Sequence, residues 1–323
     1  MAKTTNHNFI LQNTPHIQEQ ETTPRIMYSV LLALMPATGA GIYFFGLRAL
    51  AIILTCIFSA VLTETIFCYL RGKPVAIKDG SAVITGLLLA LCLPVKIPLT
   101  LAALGSVVAI ALGKQIFGGL GHNIFNPALV GRAFLQAAFP VIMTTWVPAF
   151  FYRPGVEATT TATPLSLMKF NQTFVPYSRL FFGNIGGSIG ETSAIAILIG
   201  GLFLLLIKNI DWRIPAGFLG TVVVLGELFH LINPEHPDSL SHLLAGGLLL
   251  GAFFMATDMV TSPITKPGSW IFGCGAGILL ILIRLFGGLP EGVMYSILLM
   301  NAITPLINRY TLPAMFGKKG DFA

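Results

Sequence analysis

The feature that most constrains this chain is its succession of apolar runs. Segments of about 18 or more apolar residues recur along the chain, each long enough to cross a hydrocarbon core of about 30 Å as a helix. The runs are continuous rather than alternating, which excludes a transmembrane β-barrel. Composition agrees: 54% of the 323 residues are hydrophobic and 10% are charged, against about 25% charged in an ordinary soluble domain. The expected fold class is an all-α polytopic membrane protein.

About ten transmembrane helices are expected, near 26–46, 49–70, 81–94, 97–113, 127–146, 191–207, 214–232, 241–257, 269–286 and 291–307. Short polar or Gly/Pro segments separate them. Segment 81–94 is short for a span, which suggests a tilted, broken or partly re-entrant element. The chain divides into a tail at 1–25, a five-helix repeat at 26–146, a long loop at 147–190, a second five-helix repeat at 191–310 and a tail at 311–323. An odd number of spans per half starts the second half on the opposite side, which is the arithmetic of an inverted repeat. "TGLLLALCLP" (85–94) and "GGLLLGAFFMATDM" (246–259) echo one another weakly across the two halves.

Net charge is +6. In a membrane protein this bias reflects basic residues gathered in cytoplasmic loops, and it does not point to nucleic acid. Arg25, Arg71, Lys73, Lys78, Lys114, Lys208, Arg213, Lys266 and Arg309 fall on one side, while the short loops opposite hold only Arg48 and Lys96. Both termini are therefore expected in the cytoplasm and the 147–190 loop outside. The polar N-terminus lacks the design of a cleavable signal peptide. Cys56, Cys68, Cys92 and Cys274 lie inside apolar segments without CxxC spacing, so they read as packing residues.

Several polar elements interrupt the apolar pattern. "GKQIFGGLGHNIFNPALVGRAF" (113–134) carries Asn123 and Asn126, whose amides both donate and accept. Asn126 suits a helix cap and Pro127 a first turn. The segment reads either as a capped loop or as a pocket for a planar polar ring; His122 reads as a loop hydrogen-bonding residue rather than a metal ligand. Glu64, Glu227 and Asp258 fall inside or at the ends of apolar spans, where an ionisable group is costly and so a functional candidate. Glu191, at the expected start of the sixth helix, reads as a first-turn carboxylate facing the helix dipole. Ser81 reads as the N-cap of the third span. "GVEATTTATPLS" (155–166) reads by itself as a hydroxyl-rich surface loop.

Taken together, "DGSAVITGLLLALCLP", "GKQIFGGLGHNIFNPALVGRAF", "TTATPLS", "GNIGGSIGETSAIAILIGG" and "ATDMVTSPIT" resemble the D subunits of the Rnf electron-transport complex. They are similar, less closely, to the B subunits of the sodium-translocating NADH:quinone reductase. The resemblance runs from "NTPHI" to "NAITPLINRY". It implies FMN attached through its phosphate to a threonine hydroxyl, which falls on Thr163, with Thr159, Thr160, Thr161 and Ala162 as neighbours. Thr161 stands where the family often has Gly, and Glu157 where an Asp is common. The related reductase family implies a second, non-covalent flavin, riboflavin, held by Asn123 and Asn126.

The resemblance further implies a membrane flavoprotein subunit of an ion-translocating ferredoxin:NAD⁺ oxidoreductase in the bacterial cytoplasmic (inner) membrane. It would relay electrons through covalent FMN, coupled to Na⁺ or H⁺ movement. Glu64, Glu227 and Asp258 are the ion-path candidates. The sequence shows no dinucleotide-binding fingerprint and no iron–sulfur cysteine set. NAD and ferredoxin are therefore expected to be handled by other subunits; the resemblance implies as partners iron–sulfur and NADH-binding subunits, a second FMN subunit, small membrane subunits and a flavin transferase, and the chain is not expected to be active alone. The alternatives are a channel or transporter, since the family's fold is similar to that of urea channels, and a structural membrane anchor without a redox role.

Overall fold

The computed structural model describes residues 22–72, 79–153 and 160–313. The outer parts of both tails, Glu157 and Thr159 lie outside the described residues. Within them the chain is helical, and the sole extended pairing is one antiparallel bridge between Trp146 and Thr161.

Four helices are long and apolar enough to cross a membrane: α1 (Thr23–Phe45), α2 (Leu47–Leu70), α10 (Arg213–Ile232) and α13 (Lys266–Phe286). Helix α1 opens with a proline in its first turn and stops at Gly46, whose φ of 69° an L side chain rarely adopts. The remaining elements are α3 (Ser81–Leu91), α4 (Leu99–Ile110), α5 (Pro127–Ala138), α6 (Pro140–Met143), α7 (Pro164–Phe170), α8 (Tyr177–Phe182), α9 (Ala194–Leu206), α11 (Ser239–Leu244), α12 (Leu248–Leu250) and α14 (Val293–Thr311). Two π turns extend this set, Ala111–Gln115 after α4 and Gly251–Met255 after α12.

Three expected spans are broken, each for a visible reason. Helix α3 has 11 residues, about 16 Å at 1.5 Å per residue, roughly half a hydrocarbon core. The chain beyond it is non-helical yet buried, with Leu93, Val95 and Ile97 at 0–1% exposure. Irregular backbone at such depth survives only where protein covers it. Here Ile189 donates to the Leu93 carbonyl, Gly190 to that of Leu91, and Arg48 to that of Ile97. The expected 127–146 span divides at Phe139–Pro140, because proline has no N–H to continue the helix. The expected 241–257 span breaks at Ala245–Gly247, and Arg284 of α13 satisfies the freed carbonyls of His242 (2.5 Å) and Ala245 (3.1 Å).

Ser81 does not cap α3. Gly80, at φ 75°, takes the cap position and turns the Asp79 carboxylate back to accept from the Ser81 N–H and O–H.

The core follows from close packing of small residues. Helix α1 lies on α9, with the Ala33 carbonyl so close to Gly200 that a Cβ there would overlap it. Helices α2, α3, α4 and α5 pack in sequence on one side, and α10, α13 and α14 on the other. Cys56, Cys68 and Cys92 are buried among them, as apolar packing residues are. One end of the molecule gathers the start of α1, the start of α3, the Asn123–Asn126 loop and the end of α9; we call it the Asn126 end. The other gathers the end of α1, the Trp146–Thr161 bridge and α7; we call it the Thr163 end.

Candidate functional site

The Asn126 end holds a cleft of about 780 Å³. Its wall includes Ser81, Lys114, Asn123, Asn126, Thr257 and Asp258. Asn126 is committed to the fold on both sides of its amide. Its Oδ1 accepts from Ala128 and Leu129 N–H at 3.1 and 3.4 Å, capping α5 as the sequence indicates. Its Nδ2 donates to the Met255 carbonyl at 3.2 Å, tying α5 to the π turn after α12. Asn123 is buried and donates to the Phe125 carbonyl through Nδ2. His122 beside it is exposed. Asp258 is half-buried and accepts from Val260 N–H and the Thr261 hydroxyl.

Behind this cleft stands a buried ion pair. Lys114 Nζ donates to Glu64 Oε1 at 2.6 Å and to Ser81 Oγ at 2.5 Å, and Gln115 adds a longer bond to the same carboxylate oxygen. Lys114 is 1% exposed and Glu64 3%. Lys114 is therefore not a loop charge, as its sequence position suggests. The π turn at Ala111–Gln115 adds a residue to the helical cycle and swings it inward. Glu227 differs from Glu64: it is exposed and accepts from the Ser239 hydroxyl at 2.8 Å, near the opposite end.

At the Thr163 end, Thr163 is the N-cap of α7. Its Oγ1 accepts from Ser166 N–H at 3.2 Å and lies 2.9 Å from Ser166 Oγ. It is 4% exposed, while Thr160 and Ala162 next to it are exposed. Pro164 fixes the first turn, and Leu165 and Met168 bury one face of α7. Lys169 ties its end down, donating to the Gly287 carbonyl at 2.5 Å and to Leu289. Burial there holds the Lys169 ammonium below its ordinary pKa. Thr161 donates its N–H to Trp146 at 3.0 Å, but its Oγ1 is buried without a partner among the described residues. Two clefts flank this segment, about 530 Å³ beside Trp146 and about 580 Å³ beside Leu165 and Lys169.

The structure thus brings Asn123, Asn126 and Asp258 into one cleft, with Glu64 one contact behind it through Lys114. Thr160 to Thr163 and Glu227 lie at the other end. It also corrects Glu191. Helix α9 begins at Ala194, capped by Ser193, so Glu191 is not in its first turn. Glu191 is buried and paired with Arg132 of α5 at 3.3 Å, and Arg132 also holds Glu291 at 2.5 Å. Arg132, Lys114 and Glu291 were not legible as partners. The available signal was a charge within or beside an apolar run.

A mainly helical bundle with four membrane-length apolar helices and largely apolar clefts at both ends, each edged by a few polar side chains, marks an integral membrane protein. The chain belongs to the NQR2, RnfD, RnfE family, whose model matches residues 10–317. It is 49% identical over 322 residues to the D subunit of the proton-translocating ferredoxin:NAD(+) oxidoreductase complex of Clostridium ljungdahlii, covering 96% of this chain and 97% of the relative. It is 46% identical over 314 residues to the D subunit of the Na(+)-translocating ferredoxin:NAD(+) oxidoreductase complex of Acetobacterium woodii, covering 96% of each. To the D subunit of the ion-translocating oxidoreductase complex of Stutzerimonas stutzeri it is 42% identical over 331 residues, covering 93% of each.

Proposed function

We propose that this chain is the flavin-bearing membrane subunit of an Rnf-type ferredoxin:NAD⁺ oxidoreductase, with FMN joined through its phosphate to Thr163. The observation that carries this reading is the end-to-end similarity to the D subunits of such complexes. The residues around Thr163 fit such a group. An ester oxygen at Oγ1 would still accept from Ser166 N–H, so modification costs α7 only the hydroxyl proton. The buried, unpartnered Thr161 hydroxyl and two adjoining clefts supply polar contact and room. When bound, the isoalloxazine would supply the electron relay. The chain's own residues would position it, exclude water and set the surrounding charge. Because Thr163 is itself buried, a flavin transferase would need α7 unpacked, and exposed Ala162 and Thr160 give it a handle.

The same reading assigns the Asn126 cleft to a second, non-covalent flavin such as riboflavin. Asn123 is the residue with amide capacity to spare. Asn126 would act by shaping the cleft, since both ends of its amide are occupied. Asp258, and Glu64 through Lys114, border this cleft and remain the ion-path candidates there, while Glu227 stands alone at the far end. The proton- and sodium-named relatives are nearly equally similar, so the coupling ion is a question for ion-flux measurement in vesicles.

We also read the bundle as two inverted five-helix repeats crossing the bacterial cytoplasmic membrane ten times, both termini inside. Support comes from a repeated tetrapeptide. "FGGL" occurs at 117–120, at the Asn126 end, and at 286–289, at the Thr163 end. Each follows a helix whose last turns send a cation inward, Lys114 and Arg284.

The test is flavin fluorescence in a denaturing gel, with wild type and Thr163→Ala each co-expressed with a flavin transferase. The expected result is a fluorescent wild-type band that is lost in the variant. No band in the wild type would remove the covalent-flavin reading and leave the channel or anchor alternatives.

A further inference from the structure

Two carboxylates share one arginine at the Thr163 end, apart from Glu64 and Asp258 at the opposite end. Arg132 Nη1 meets Glu191 Oε1 at 3.3 Å and Nη2 meets Glu291 Oε2 at 2.5 Å. The three side chains differ in access: Glu191 is 3% exposed, Arg132 9% and Glu291 22%. Glu291 borders the cleft of about 530 Å³, with Gln136, Thr144, Trp146 and Tyr295 as its neighbours. Glu191 sits deeper, against Gly247. A Cβ at that glycine would stand 2.5 Å from Glu191 Oε1, so only glycine admits the carboxylate.

We propose that Glu191 and Glu291, joined through Arg132, form a proton-holding site filled from the water at the Thr163 end. The step is simple: a carboxylate gains a proton and becomes a carboxylic acid, and no other bond or electron changes. Two carboxylates face a single guanidinium, so one negative charge has no cation opposite it, and a proton on either carboxylate relieves their repulsion. The exposure gradient orders the exchange, with Glu291 meeting water first and Glu191 receiving the proton inward.

Other charged and titratable groups face this pair. Arg284 of α13 stands near both carboxylates, with Nη1 and Nη2 donating to the carbonyls of His242 and Ala245 and Nε without a partner among the described residues. Cys92, after α3, lies near Arg132 and Glu191, and His242 of α11 lies near Arg284.

A second, independent observation shows where the proton would go. The hydroxyls of Ser188 and Thr192, flanking Glu191 in the chain, are 0% and 1% exposed; that of Ser188 faces the Glu191 carboxylate, and that of Thr192 has no partner among the described residues. Both ring nitrogens of His242, 2% exposed, are in the same state. Buried polar atoms of this kind are satisfied by internal water. Hydroxyls, an imidazole and the water they hold are groups able to take a proton from a carboxyl. The site does not depend on flavin at Thr163.

The experiment is infrared difference spectroscopy across a pH series, on the purified complex in lipid nanodiscs. The readout is the protonated-carboxyl C=O band and its shift in heavy water. The expected result is a titrating band that Glu191→Gln and Glu291→Gln each abolish or move in midpoint, and that Arg132→Lys moves but keeps. Unchanged amplitude and midpoint in both glutamine variants would overturn the proposal. Should Glu191→Gln fail to assemble, the more exposed Glu291→Gln decides by the same readout. Running the series in Thr163→Ala separates this site from the flavin reading: the band persists there if the proton site is real, whatever the gel shows.

Discussion

The two ends of the bundle treat buried polar groups in opposite ways. At the Asn126 end nearly every polar atom is bonded: Asn126 is occupied on both sides, and Lys114 closes onto Glu64 and Ser81. Glu64 Oε2 there lacks a partner among the described residues, as do both amide atoms of Asn301, midway along α14. At the Thr163 end, Thr161, Thr192, His242 and Arg284 Nε are buried without one among the described residues. A satisfied network specifies its own geometry, whereas unsatisfied groups are placed for a guest, water or ligand. The Asn126 cleft is therefore held open by its own frame. The Thr163 end has its polar contacts still to make.

Substitutions can break this contrast. The largest effect is expected for Lys114→Ala, which leaves the buried Glu64 carboxyl without its cation and with only the longer Gln115 bond; removing one partner of a buried pair costs about 3–5 kcal/mol. Replacing both partners, Glu64→Gln with Lys114→Met, should restore most of that loss. Thermal unfolding in detergent would read the two variants, and a double variant no better than the single one would show that the pair is not the cause. Next comes Asn126→Ala, which deletes a helix cap and a bond to Met255, together about 2 kcal/mol. Its melting point should fall clearly, while Asn123→Ala, which loses one local bond, should fall less. The smallest effect belongs to the other end. Thr161→Val removes a hydroxyl that bonds nothing among the described residues and should change stability by about 0.5 kcal/mol or less. A large drop from Thr161→Val would erase the distinction between the two ends.

Much of this was legible in the sequence, in proportion to how local the cause is. The long apolar helices follow from run length. Asn126-Pro127 announces its own cap and first turn, and the shortness of 81–94 foretells a broken element, an 11-residue helix followed by buried irregular chain. Other features depend on what lies across the bundle. Lys114 reads as a loop charge until a π turn rotates it onto Glu64, 50 residues away. Glu191 reads as a helix-dipole partner until α5 brings Arg132 to it. The divided 241–257 segment keeps its gap only because Arg284, about 40 residues on, answers the open carbonyls. Local pattern sets which groups are buried, and tertiary packing chooses their partners.

One contact has a mechanical consequence. Where Gly200 of α9 meets the Ala33 carbonyl of α1, backbone touches backbone with no side chain between. Every residue on either side of Gly200 except Gly201 carries a Cβ in this stretch of α9. Sliding α9 lengthwise on α1 would drive one of those into the carbonyl. The two helices can tilt about this point but not shear past it. The α1–α9 contact is a fulcrum, and any working stroke of the molecule would be a rocking one.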